Sequence, residues 1–115
     1  MDEYKLTLRK LALRDDRYID ALLSDDRASV SVSGIDPRSL ALLRIAALIA
    51  IDAAPPSYMS AVEAGLDAGA SYDEIVGTLI AVMPIIGVAR VVSAAPNLGL
   101  ALGYDVSAAL ELVDG

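Results

Sequence analysis

Residues 52–62 read DAAPPSYMSAV, an apolar stretch broken by two adjacent prolines. Upstream of it, Leu40 to Ile51 is apolar at every position except Arg44. Downstream, Tyr58, Val62 and Leu66 recur at helical spacing, with Glu63 and Asp67 on a second stripe. Two adjacent prolines cannot sit inside a helix, because each lacks an N–H and its ring clashes with the preceding turn. The stretch therefore predicts a corner without a true loop. One helix ends near Asp52, and the next starts at once with Ser57 in its first turn.

Working outward, the upstream helix has clear punctuation. Asp36 can cap it, and Pro37 suits the first helical position. On the other side, Gly69 is a natural stop. Ser71 and Glu74 have capping-box spacing, and the helix they open is apolar through Met83 to an expected kink at Pro84. A further helix through Arg90 should bend or break at Pro96 and resume through Leu102. Asp105 then caps a short last helix, Val106 to Val113. The segments from Leu40 to Ile51 and from Ile75 to Val92 are apolar all round, which predicts two long helices buried on every side.

The N-terminal third differs. Tyr4, Leu8 and Leu11 outline a short first helix, and RDDRYIDALLS a second with Asp15 as its cap. SDDRASVSVSG reads as a polar extended arm, because Val30 and Val32 alternate. No strand is expected anywhere. The predicted class is all-α in a single domain, with N-terminal helices and arm over 1–34, a core over 35–105 and a C-terminal helix over 106–115.

Composition narrows the function. Apolar residues make up 56% of the 115 positions, and mean hydropathy is +0.55. The longest uncharged stretch, Ile75 to Ala89, is still short of the roughly 18–20 residues a bilayer span needs. The excess of apolar surface therefore predicts burial in partners, a homo-oligomer, rather than in a membrane. Nothing at the N-terminus resembles a secretory leader, so a cytoplasmic location is expected. A net charge of −7 opposes binding to nucleic acid. Six of the nine basic residues fall within the first 27 positions, but seven acids share that segment, as on a solvated helix surface. Arginine in preference to lysine, together with abundant alanine, fits a GC-rich bacterial source.

The chain has no cysteine and no histidine. Thiol peroxidase and disulfide chemistry are therefore excluded, and no metal site or cofactor is expected. Acid–base work near neutral pH would fall to a carboxylate, lysine or tyrosine with a shifted pKa. Ser57 has no evident base and reads as a first-turn polar residue. Tyr58 reads as core with a wet hydroxyl. Asp52 at a helix C-terminus opposes the helix dipole, which points to a specific partner such as an arginine. Arg44 and Arg90 each interrupt an apolar helix, and a buried guanidinium must be paired. They would either grip a ligand carboxylate or form structural salt bridges to Asp52, Glu63 or Asp67.

From Ile35 to about Asp105 the sequence resembles the carboxymuconolactone decarboxylase family, which includes the alkyl hydroperoxidase D-like proteins. The resemblance is carried by DPRSLALLRIAALIA, AVEAGLDAGASYDEIVGTLIAV and PIIGVARVVSAAP, and within the second by Gly69, Ala70, Ser71, Asp73, Glu74 and Ile75. It implies an alkyl hydroperoxidase D-like helical bundle assembled as homo-trimers or homo-hexamers. Redox-active members carry a Cys-x-x-Cys pair at a helix start, followed by a histidine. The matching positions here are Ala54, Ser57 and Ala61, and no acid stands near Leu42 or Leu43, where an assisting one is implied. The resemblance thus implies that the corner is the family's active site without its reactive groups. Two functions remain open. One is a divergent enzyme or binding protein for a small organic acid, with a pocket formed by Ser57, Tyr58, Arg44 and Arg90. The other is a non-catalytic oligomeric module. A pocket at Ser57 lined by an unpaired arginine would favour the first, and a corner filled by Tyr58 and Met59 the second.

Overall fold

The computed structural model describes residues 2 to 114. Eight helices and no strand occur among them: α1 (Glu3–Ala12), α2 (Asp16–Ser24), α3 (Asp26–Ser33), α4 (Pro37–Ala50), α5 (Pro55–Asp67), α6 (Tyr72–Ile86), α7 (Val88–Ala101) and α8 (Val106–Asp114). The all-α expectation holds. The chain divides into two compact units, one ending at Ile35 and one beginning at Asp36.

The first unit holds α1 to α3, and none of its described residues is buried. Asp15 caps α2 as expected, accepting from the Tyr18 N–H at 3.2 Å. The extended arm is a misreading, because residues 26–33 form α3. The Asp25 carboxylate accepts from the Arg27 N–H, and the hydroxyls of Ser29 and Ser33 donate back to Asp26 and Val30 carbonyls. These short side chains fold onto the helix that their β-propensity argued against. Gly34, at φ 69°, ends it.

The second unit is a four-helix bundle with α8 packed on α7. In cross-section the order is α4, α5, α7, α6, so α5 and α6, consecutive in sequence, lie on one diagonal. Arg38 in the first turn of α4 is ion-paired with Glu74 in the first turn of α6. Those two neighbours therefore run in the same direction. Each helix turns one stripe inward: Ala41, Ile45 and Ile49 from α4, Tyr58, Val62 and Gly65 from α5, Ile75, Thr78 and Leu79 from α6, and Val91, Ala94 and Leu98 from α7. These spacings of three and four are the period of one helix face.

The caps fall where the residues placed them. Asp36 accepts from the Ser39 N–H at 3.0 Å, and these hydrogen bonds hold its carboxyl below the usual range. The Ser71 hydroxyl and the Glu74 carboxylate form a reciprocal box at 3.0 and 2.9 Å. Asp105 accepts from the Ala108 N–H.

Two expectations need correction. The segment from Ile75 to Val92 is not one helix. It breaks at Gly87, where φ is 91°, while Pro84 and Pro96 both lie inside helices. Nor are the long helices buried all round, because each helix of the ring has an outer face that no other helix of the bundle covers. Leu43 on α4 and Ile80 on α6 remain 53% and 68% exposed.

Candidate functional site

The proline corner is built by backbone hydrogen bonds first. Helix α4 ends with the Asp52 N–H donating to the Ile49 carbonyl at 3.2 Å and the Ala53 N–H to the Leu48 carbonyl at 3.1 Å. This is the Schellman arrangement, which requires a left-handed residue after the cap. Asp52 fills that position at φ 54°. Aspartate tolerates this backbone better than most side chains, since its carboxylate can bond locally. Three residues later Pro55 opens α5, where its missing N–H is no loss. The helix-to-helix connection is thus a single capping turn, and Ser57 lies in the first turn of α5 as predicted.

Tyr58 closes the corner from inside. It is fully buried, and its hydroxyl donates to the Leu48 carbonyl at 3.2 Å. One carbonyl oxygen therefore accepts both the capping N–H of Ala53 and the phenol of Tyr58. Burial, and secondarily the negative charge of Asp52, push the phenol pKa up from 10.0. The neutral form is favoured, and a proton-abstracting phenolate is not.

Asp52 has its partner, but it is not an arginine. The Ser93 hydroxyl of α7 donates to its carboxylate at 2.9 Å, which ties the corner to the helix across from it. Sequence spacing held no signal for this contact between residues 41 apart. The left-handed tolerance of Asp52 was a readable signal and was missed.

The four predicted pocket residues differ in burial. Tyr58 points into the core, whereas Ser57 is exposed. Arg44 and Arg90 are exposed too, on α4 and in the first turn of α7. The argument that these guanidinium groups are buried therefore fails, for the same reason that the outer helix faces are open. No hydrogen bond or ion pair joins Ser57, Tyr58 and Arg90 among the described residues. The bundle's Arg38–Glu74 pair was missed as well, although Arg38 stands one turn from a cap and Glu74 in a capping box. A corner filled by both Tyr58 and Met59 would favour the non-catalytic module; Tyr58 fills it, and Met59 is 61% exposed. Ala54 and Ala61, at the positions that the resemblance aligns with reactive groups, offer only methyl groups.

A groove of about 500 Å³ lies elsewhere, between α4 and α6, with Leu42, Leu43, Ala46, Gly77, Ala81 and Val82 among its lining. Its polar residues are Ser39 and Glu74, in the first turns of the two helices, and Thr78 in mid-α6; Glu74 is already paired with Arg38, and the Thr78 hydroxyl donates to the Ile75 carbonyl. Among the described residues no three acids converge where they could hold a metal ion, and no helix is long and apolar enough to cross a membrane.

Comparison of the chain with models of known protein families, with curated proteins and with solved structures finds no match in any of the three.

Proposed function

We propose that the chain is a non-catalytic, self-assembling helical module with a carboxymuconolactone decarboxylase-like fold. The observation that carries this reading is Tyr58. The side chain at the corner is buried and engaged with the Leu48 carbonyl, and the exposed residue beside it, Ser57, has no base. A nucleophile needs a base within about 2.6–3.2 Å to be activated, and a hydroxyl held by a backbone carbonyl in apolar surroundings cannot supply one. What remains is a capped bundle with apolar residues on the outer faces of α6 and α7, where Ile80, Val88 and Val92 are each more than 60% exposed. Such faces are what oligomers cover.

The reading is tested by light scattering at micromolar concentration, together with peroxide and lactone turnover assays on the same preparation. The expected outcome is a mass that is a multiple of 12.0 kDa, with no turnover above buffer. A clean monomer, or any turnover lost in a Tyr58→Phe variant, overturns it.

The reading as a small-organic-acid protein keeps one supporting feature, the groove between α4 and α6. Its lining suits an apolar body, and no unpaired cation stands in that lining to hold a carboxylate. Thermal shifts with small carboxylates separate the two readings, since a ligand of the folded state must raise stability.

A further inference from the structure

Helix α6 presents a problem that the single chain does not solve. From Ile75 through Ala89 the sequence has no charge, and the inward stripe of α6 accounts for only Ile75, Thr78 and Leu79. The opposite face, which carries Val76, Gly77, Ile80 and Ala81, is uncharged and open.

Gly77 makes the problem specific. A glycine inside a helix costs about 1 kcal/mol relative to alanine, so it needs a reason. Gly65 has one, because a Cβ there would meet Ile45, Ile75 and Ala41 at 3.6 to 3.8 Å. Gly99 has a stronger one, since a Cβ would stand 2.8 Å from the Tyr104 carbonyl oxygen. At Gly77 a Cβ would meet nothing within 4 Å. No contact inside the bundle requires this glycine, yet it lies in the wall of the groove between α4 and α6.

We infer that a second copy of this chain covers this face, with α6 packed on α6 about a two-fold axis and Ile80 of each copy seated over Gly77 of the other. The inference rests on the self-assembly proposed above and names the contact. The face is self-complementary in the sense that a two-fold contact demands. Val76 and Ile80, four residues apart, form a ridge, and Gly77 and Ala81, also four apart, form the adjacent furrow. Ridges and furrows of this spacing interlock when two helices cross at about −50°. Charge allows it, because the face carries no charge from Val76 to Ile85, and Asp73 stands one turn before Gly77 at its N-terminal end.

The flanks extend the contact. The groove-side position of Leu43 places it beside α6. On α7, Val88 and Val92, four residues apart, share one side of the helix, away from Ser93, which faces Asp52. With Ile85 at the end of α6, six side chains between 42% and 86% exposed leave on the order of 600 Å² open. The small groove residues add to this, against the ~800 Å² that each partner gives to a stable contact.

The test compares the masses of wild type, Gly77→Leu, Ile80→Asp and Met59→Asp by light scattering across a concentration series, with helical circular dichroism as the check on folding. The expected wild-type assembly holds an even number of chains. Gly77→Leu and Ile80→Asp should each weaken it at least tenfold, while Met59→Asp on the outer face of α5 leaves it intact. Ile80 is exposed and Gly77 borders open space, so both variants can keep the monomer fold. A wild-type trimer, or unchanged mass in both α6 variants, overturns this contact and leaves self-assembly standing. Dissociation by Met59→Asp but not by Ile80→Asp does the same. A wild-type monomer overturns both.

Discussion

At the scale of single residues, the corner depends on Tyr58 more than on the prolines that reveal it. Replacing Tyr58 by Phe keeps the ring in the core and removes the bond to the Leu48 carbonyl, at a cost of about 1 kcal/mol at neutral pH. The pH dependence follows from the raised pKa. The unfolded phenol ionises near 10.0 while the folded one ionises higher. The stability Tyr58 contributes is therefore full below pH 10 and is lost as pH rises through the folded value. The variant lacks this loss, so the gap between wild type and Tyr58→Phe should narrow above pH 10 in urea titrations. A constant gap would mean that the phenol ionises alike in both states. Tyr58 was legible as a core residue with a polar tip, because its spacing with Val62 and Leu66 set its face. The identity of the acceptor was not legible, since a backbone carbonyl leaves no trace in the side-chain pattern.

At the scale of elements, the helix boundaries were largely readable because they are chemical. Asp36 with Pro37, Ser71 with Glu74, Gly69 and Asp105 each meet a particular unsatisfied backbone group, and each does so in the structure. Helix α3 was not readable, since alternating valines and serines favour a strand until the serine hydroxyls bond back to their own turn. The break at Gly87 was not readable either: Pro84 drew attention, yet the helix runs on past it and ends where Gly87 takes up a φ of 91°. The capping box offers a clean measurement. Ser71→Ala should lower stability by about 1 kcal/mol. Glu74→Gln should lose less, because an amide oxygen can still accept from the Ser71 N–H, and the half-exposed Arg38 pair contributes only a few tenths. Equal losses in thermal melts would show that the ion pair is worth as much as the cap.

At the scale of the whole molecule, the reading of the apolar helices failed in an instructive way. Periodicity shows that a face will be buried but not by what. In the bundle the ring of α4, α5, α7 and α6 covers only the inner stripes, so outer residues such as Ile80 and Val92 stay open. The same premise lay behind the two arginines. Arg44 and Arg90 were placed in the interior on the premise that their helices were enclosed, whereas both stand at the surface. If assembly supplies the missing cover, folding and association are linked. The midpoint of thermal unfolding should then rise with protein concentration, by the mass-action law that governs any partner of the folded state. A midpoint that stays fixed over a hundredfold dilution from an assembled state would break that link. One consequence reaches beyond equilibrium. The Leu48 oxygen serves two donors, one from the capping turn and one from the next helix. The turn cannot fray alone without giving up its share of that oxygen, and the second helix cannot lift away without exposing the phenol. Opening of this hairpin is then a single cooperative event rather than a gradual unzipping. A turn only a few residues long would share the lifetime of the core it encloses.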